Sequence, residues 1–557
     1  MISIEEKVPS KIPGVTSLFI TTPYNKDVID VIKGCTPLNY DKKVNTWEMP
    51  TTRLAKFLNG VKGIDDIRIK LKKDEVIKEQ PDIKLSHYKT KPYKYQEEGI
   101  QFGLKHPKWL LLDMPGLGKT LQLIYLAQEL KKRDGIEHCL IVCGLNTLKA
   151  NWEKEIAKHS NLSCRVLGKR VARTGTITYG SIPERLAELK NPLKEFFLIT
   201  NIETLRDDKI IKELRDGKNK FEMIALDEAH VIKSPTSQQS RNLLKLNAPH
   251  MIAMTGTLLL NNPLDAYVPL KWIGAEHSTY TNFKCHYTQY GGLFGNEFIG
   301  YKNVDDLKDQ IASVSLRRTD DILDLPDKNF IEEELEMSDI QSKFYQNIVD
   351  GIFDEVDKVK LNRTNILALV SRLRQATACP SILTTSTIPS VKQDRCCELV
   401  ESITGNGNKV VIFSTFKQTV TELAEKLKIY NPLICTGDIP DAIISANIDK
   451  FQQDKECKVF IATWQKCGTG ITLNVANYGI FIDTPFTSGQ YEQCWKRIHR
   501  IGSKKHIFVY NLITKGTFDE RVKYLVDSKA VISDYVVDDI VDQRTFDMLQ
   551  KFIYDLK

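Results

Sequence analysis

From about residue 108 onward, short uninterrupted apolar runs alternate with stretches of helical periodicity. One set comprises WLLL (109–112), CLIVC (139–143), FFLIT (196–200), MIAL (223–226) and MIAM (251–254). A second comprises VVIFS (410–414), VFIAT (459–463), YGIFID (478–483) and IFVYN (507–511). A strand with one wet face alternates apolar and polar residues, whereas an unbroken run is covered on both faces, as in a parallel sheet flanked by helices. The pattern predicts an α/β protein with two lobes, each built on a parallel sheet. Between them, roughly 270–400, the chain is polar and aromatic-rich with no strand rhythm, and KFYQNIVDGIFDEVDKV (343–359) has the spacing of an amphipathic helix. Residues 1–85 read as a separate small α+β module, joined by the charged stretch KKDEVIKEQPDIK (72–84). The division is therefore 1–85, a first lobe over 86–275, helical insertions and linker over 276–400, a second lobe over 401–530, and a C-terminal brace over 531–557.

With 42% hydrophobic residues in 557, disorder is not the theme, and the length suits roughly three or four domains. No run approaches the ~18–20 apolar residues of a membrane span, so no membrane partner is expected. The start, MISIEEKVPSKIPG, lacks a charged segment followed by an apolar one. These features predict an intracellular protein, cytoplasmic or nucleoid-associated, in the host cytoplasm if viral, with a nuclear place left open. Of the net charge of +7, residues 1–100 carry +4, holding 18 Lys and Arg against 14 Asp and Glu. That balance permits a polyanionic partner without requiring one. The 12 cysteines form no CxxC pair and no zinc-spaced cluster, which predicts reduced, mostly buried thiols.

The sharpest chemical signal is Asp113-Met-Pro-Gly116-Leu-Gly118-Lys119-Thr120, between an apolar strand and the helix-like LQLIYLAQEL. Strand, glycine loop and helix start aim backbone N–H groups at a phosphate. Gly116 and Gly118 allow close approach, Lys119 reaches the β- and γ-phosphates, and the Thr120 hydroxyl ligates Mg²⁺. Asp113 stands where the general pattern has its first glycine. The second signal is MIALDEAH (223–230), which sets Asp227 and Glu228 at a strand's carboxyl end, where α/β sheets bind ligands. Asp227 suits the metal ion, Glu228 the attacking water, and His230 coupling to neighbours. In Met254-Thr255-Gly256-Thr257 a strand ends in two hydroxyls, Thr255 and Thr257, placed to contact the acidic motif and relay nucleotide state. In QCWKRIHRIG (493–502), Arg497 and Arg500 are expected three apart on one helix face, as fingers on the developing γ-phosphate charge.

These segments resemble superfamily 2 helicase-like ATPases, specifically the SWI/SNF-like group, in order over roughly residues 92–520. Tyr93-Lys94-Tyr95-Gln96 resembles the Gln motif, which implies that Gln96 reads the adenine edge with Tyr95 packed beside it. LIVCGLNTLKANWEKE (140–155), ITNIETLR (199–206) and MTGTLLLNNPLDAY (254–267) look like motifs Ia, Ib and III. KVVIFSTF (409–416), GTGITL (468–473) and QCWKRIHRIG look like motifs IV, V and VI. LRQATACPSIL (373–383) is similar to a block found between the lobes in this group, and LRRTDDILDLPDK (316–328) is shorter than its family counterpart, with Asp320 where a Lys is usual. LFITTPYNKDVIDVIKGCTPLNYDKKVNTWEMPTTRLAKFLNGVKGIDDIRI (18–69) looks like a HARP domain, the module of the group's annealing-helicase members.

The resemblance implies two RecA-like lobes, ATP and Mg²⁺ as substrate and cofactor, Gly470 at the nucleotide, Gln493 in coupling, and duplex, forked or branched DNA as partner. It implies phosphate contacts from Thr147, Lys149, Ser414 and Thr415, and a HARP-like substrate-recognition module. There, Tyr40 and Trp47 either stack on DNA from an exposed hairpin or form the module's own small core. The expectation is a monomeric DNA-dependent ATPase that moves along duplex DNA and reanneals strands, regresses forks or migrates branches, alongside replication, recombination or transcription proteins. Three alternatives remain: a strand-separating DNA or RNA helicase, a remodeller that displaces a polymerase or chromatin particle, and a DNA-binding scaffold that does not hydrolyse ATP.

Overall fold

Every apolar run picked out above becomes a β-strand. The computed structural model describes residues 2–7, 17–22, 24–35, 40–41, 44–50, 53–62, 64, 69–72, 88–144, 146–171, 177–232, 234–256, 263–291, 297–319, 322, 325–358, 363–467, 471–486, 488–500, 502–527 and 551–552. The chain divides into two units, Met1–Met114 with Gly118–Thr319, and Asp320–Lys557 with Pro115–Leu117.

In the first unit, seven parallel strands lie in the order Ser315–Leu316, Lys108–Leu111, His250–Met254, Met223–Asp227, Cys139–Cys143, Phe197–Asn201, Cys164–Val166. The four strands from His250–Met254 to Phe197–Asn201 in that order are buried at every position, which explains their unbroken apolar sequences. Met254 is in register with both Asp227 and Leu111. The acidic motif, Thr255 and the entry to the glycine loop therefore leave the sheet side by side at its carboxyl edge.

The second unit holds six parallel strands ordered Lys328–Leu335, Ile507–Thr514, Tyr478–Phe481, Val410–Ser414, Val459–Thr463, Leu433–Cys435. The helix Asp339–Lys358 realises the predicted amphipathic stretch. It buries Tyr345, Val349 and Ile352 in a cluster with Leu369, Leu373, Phe518, Val522 and Phe552. Most of the expected brace, 531–557, lies outside the described residues.

The expectation of no strands over 270–400 is corrected. That stretch is shared between the units and contains a hairpin (Thr288–Gly291 with Glu297–Tyr301), Ser315–Leu316 and Lys328–Leu335. Lys328–Leu335 sits at a sheet edge and is nowhere fully buried, so KNFIEEEL carries glutamates where a central strand carries apolar residues. The pair 315–316 is too short to show a period.

Residues of the N-terminal module form a five-stranded sheet ordered Tyr40–Asp41, Thr46–Pro50, Ser17–Thr21, Ile2–Lys7, Ile69–Lys72, with helices Lys26–Cys35 and Leu54–Val61. Trp47 is only 9% exposed and belongs to the module's core with Ile4, Ile20, Ile32 and Phe57, which corrects the exposed-hairpin reading for that residue. A module this small draws on its tryptophan for stability. Tyr40 remains 41% exposed, its ring centre 4.7 Å from that of Trp47. Arg53, buried, joins the module to the rest of the first unit, giving Asp306 two hydrogen bonds of 2.8 Å and Gln310 one of 3.0 Å. Lys56 also pairs with Asp306, and Glu48 with His277 at 3.0 Å.

The twelve cysteines are free thiols, nine of them buried, in line with the sequence expectation. Among the described residues no helix is long and apolar enough to cross a membrane.

Candidate nucleotide site

Gly118 caps the helix Lys119–Asp134 in the left-handed region at φ +75°, and Gly116 has φ +97°. A Cβ on Gly118 would stand 2.4 Å from the Gln96 amide nitrogen, so glycine is needed there for room as well as for conformation. The first turn of this helix holds no acidic side chain. Its N–H groups and positive dipole end, with Lys119 beside them, make a cradle that fits a polyphosphate. Lys119 Nζ donates to the Asp113 carbonyl at 2.7 Å.

Tyr95 and Gln96 lie in the first turn of the helix Lys94–Lys105. The buried Gln96 accepts from the Tyr93 N–H at 2.9 Å and donates to the Tyr95 hydroxyl at 3.3 Å, which holds its amide in one orientation. Burial, with the Asp113 carboxylate nearby, raises the Tyr95 pKa, so its hydroxyl stays protonated.

Asp227 ends its strand with a carboxylate held from two sides. Trp152 Nε1–H donates to it at 2.8 Å and the Glu228 N–H at 3.0 Å. Burial first, and the neighbouring Glu228 charge second, push its pKa up to about 6. Glu228 stands at φ +52°, ψ +52°, a left-handed conformation that costs a non-glycine residue about 1 kcal/mol or more. The backbone there is accommodated by Gly144, whose Cβ would lie 3.0 Å from Glu228 Cβ. His230 Nδ1 sits 3.2 Å from Glu228 Oε2 and 3.1 Å from Thr255 Oγ1. Thr255 N–H in turn donates to the Leu111 carbonyl at 3.1 Å. The acidic pair, the histidine and the strand that feeds the glycine loop thus form one hydrogen-bonded chain. Thr120 and Asp227 supply hard oxygen donors of the kind Mg²⁺ takes, and that ion would neutralise phosphate charge when bound.

Sequence reasoning missed Trp152 and Gly144. Trp152 is the one large apolar residue in the polar run ANWEKE, a signal of inward packing. Trp152→Phe keeps an aromatic ring, though a smaller one, and deletes the donor to a charged acceptor. Beyond the cost of the smaller ring we expect a loss of about 1.5–3 kcal/mol, read by calorimetry as a fall in thermal midpoint larger than the same substitution causes in an Asp227→Asn background; equal falls would show the contact to be idle.

In the second unit, the helix Ser488–Trp495 carries Gln493 but ends before Arg497 and Arg500. They lie in the following turns and not on one helix face, because the chain there bends to hydrogen-bond backbone, with Leu473 N–H donating to the Arg497 carbonyl. Arg497 is buried, and Arg500 Nη1 donates to the Ile471 carbonyl at 3.1 Å and to Thr472 Oγ1 at 2.9 Å.

The expected DNA contacts fare differently. Lys149 is 1% exposed, with its ammonium 3.7 Å from the Tyr179 ring centre, so its charge is turned inward onto a ring and not outward to a phosphate. Ser414 is buried and donates to Asp483 at 2.6 Å, and Thr415 pairs with the same carboxylate through its N–H at 2.9 Å and its hydroxyl. Both hydroxyls donate to Asp483 in this structure. Gly470 and Thr257, and the side chain of Thr147, lie outside the described residues.

A family model described as SNF2-related domain matches residues 95–384, and one described as helicase conserved C-terminal domain matches 391–502. The "Uncharacterized ATP-dependent helicase" of Mycoplasma pneumoniae is 27% identical over 82% of this chain and 44% of its own. The "SWI/SNF-related matrix-associated actin-dependent regulator of chromatin subfamily A-like protein 1 homolog" of Caenorhabditis elegans is 24% identical over 91% of this chain and 72% of its own. A solved "Sulfolobus solfataricus SWI2/SNF2 ATPase core in complex with dsDNA" shows 24% identity, covering 85% of this chain and 98% of that one, at a TM-score of 0.37. The chain spans less than half the length of the Mycoplasma relatives it matches. With the SNF2-related model covering more than half of the sequence and both parallel-sheet lobes in place, the chain belongs to the SNF2-related family of helicase-type ATPases.

Proposed function

We propose that this protein couples ATP hydrolysis to movement along duplex DNA and acts on branched or forked DNA by annealing, branch migration or fork regression. The observation that carries the reading is the chain from Glu228 through His230 to Thr255, beside a glycine loop built for phosphates. It supplies what a hydrolase of this family needs: an acid at the attacking water and a relay that senses it. Lys119 binds the nucleotide's phosphates, Thr120 and Asp227 hold Mg²⁺, and Arg497 and Arg500 answer the charge that develops on the γ-phosphate. Support for DNA comes from the family and from the names of relatives, which include ATP-dependent helicases and chromatin regulators. The exposed Tyr40 of the N-terminal module offers a ring for an unpaired base, in keeping with a HARP-like role. The relatives' chromatin names favour a second reading, displacement of protein from DNA by the same motor.

The test is ATP turnover by the full chain with no nucleic acid, single-stranded DNA, duplex DNA, a synthetic fork, or RNA. Stimulation by duplex or fork is the expected result. Half-saturation should weaken steeply with salt, about 10³-fold between 50 and 200 mM if six phosphates are contacted. Stimulation by single strands or RNA alone would replace this reading with a strand-separating helicase. Displacement of a bound protein block without reannealing of a synthetic fork would favour the second reading.

A further inference from the structure

Arg318 reaches both ends of the nucleotide site from a segment marked out only by its departure from the family form. Asp113, where a general P-loop has glycine, is a fully buried carboxylate. Arg318 grips it with two bonds, Nε to Oδ1 at 2.9 Å and Nη2 to Oδ2 at 2.7 Å, and Gln122 adds a third at 2.9 Å. The remaining guanidinium donors go elsewhere. Nη2 also meets Gln122 Oε1 at 2.7 Å, and Nη1 donates to the Tyr95 carbonyl. The guanidinium carbon lies 5.2 Å from the centre of the Tyr95 ring. Main-chain bonds run parallel to this grip: Leu110 N–H to the Val314 carbonyl, Leu112 N–H to Leu316, and Met114 N–H to Arg318, at 2.8–3.0 Å.

Asp113 is also the residue whose carbonyl receives Lys119 Nζ. One planar fork therefore touches, through Asp113, the lysine at the phosphates and, through Tyr95, the pair expected at the adenine. Stability alone does not account for this arrangement, since a buried ion pair is often no better than packed apolar residues of the same volume. Neutralising Asp113 does not dictate where the outer donor Nη1 goes, and here it goes to the Tyr95 carbonyl with the guanidinium beside the Tyr95 ring. We propose that Arg318 is a positioning residue that fixes the distance between Tyr95–Gln96 and Lys119, and so sets the preference for adenine nucleotides over other nucleoside triphosphates. This rests on the nucleotide-site reading above.

Lysine cannot reproduce the fork, so Arg318→Lys preserves charge while removing the geometry. Gly99→Ala disturbs the same clamp from its other side with every charge kept. Its Cβ would fall 1.9 Å from Gln122 Oε1 and 2.8 Å from Arg318 Nη2. The experiment measures ATP and GTP dissociation constants, KM and kcat for the full chain, wild type and both variants, below their thermal midpoints. For both variants we expect ATP KM and Kd to rise about tenfold, kcat to fall less, and the ATP-over-GTP ratio to shrink. A lower thermal midpoint with an unchanged ATP-over-GTP ratio in both variants would overturn the proposal and leave the clamp as scaffolding. Wild type that binds ATP and GTP equally would overturn the proposal alone, and wild type that binds neither would overturn the nucleotide-site reading with it. If Arg318→Lys fails to fold, Gly99→Ala decides the matter alone.

Discussion

Glu228→Gln is expected to leave ATP bound and to slow its hydrolysis by about 10²–10⁴-fold, the usual contribution of a positioned acid–base group. The substitution keeps length and shape and removes only the charge that orients and polarises the attacking water. Its backbone conformation, left-handed at φ +52°, suits Gln no worse than Glu, and Gly144 gives either Cβ the same room. His230 keeps an oxygen to hydrogen-bond at the same place. Removing a carboxylate beside Asp227 also withdraws one of the two causes of its raised pKa, so Asp227 becomes a better anion for a cation, not a worse one. The paired measurement is equilibrium ATP binding and turnover at saturating DNA. Loss of turnover with binding intact places the effect in the transition state, whereas equal loss of both would assign Glu228 to ground-state binding.

The fold was legible in this sequence wherever burial was complete. Central parallel strands such as CLIVC and VVIFS have no wet face, so their composition alone announces them. Edge strands escaped notice for the opposite reason: in Lys328–Leu335 burial still alternates from Ile331 on, but no position is fully buried and Glu333, paired with Arg395, takes a half-buried place where an apolar residue would mark the strand. The nucleotide site was legible where chemistry fixes residue type at short range, as in the glycine loop and the acidic pair. What stayed hidden were partners that meet across long sequence separations. Trp152 finds Asp227 from 75 residues away and Arg318 finds Asp113 from 205. Neither spacing has a period, because only the sheet order brings the segments together. The choice between the two readings of Trp47, and the burial of Lys149 and Ser414, were hidden for a related reason. Residue type states what a side chain can contact, but burial, which depends on the whole fold, decides whether it faces solvent.

Asp483→Ala is expected to destabilise the second unit by about 3–5 kcal/mol, the cost of stripping one partner from a buried charge pair. Asp483 follows the strand Tyr478–Phe481, and the run YGIFID, like MIALDE, ends an apolar strand in a carboxylate. Here the carboxylate serves structure. It accepts from the Ser414 hydroxyl, the Thr415 N–H and hydroxyl, and Arg374 Nη2 at 3.1 Å. Arg374 is 3% exposed and comes from LRQATACPSIL, so this pair seats that block on the sheet. Burial pulls the Arg374 pKa down against the attraction of Asp483 and Asp519, yet an arginine does not shed its proton, so without Asp483 a charge is left buried beside one remaining carboxylate. Arg374→Met should cost less, about 1.5–3 kcal/mol, because Asp483 keeps its donors from Ser414 and Thr415 and the methionine fills the space against Phe486. Calorimetry of the full chain, with hydrogen exchange over 410–416, separates the two cases. A larger loss in Asp483→Ala than in Arg374→Met, with faster exchange at Thr415 in the former alone, would show that the carboxylate organises the end of this strand. Equal losses would put the stabilisation in the ion pair itself.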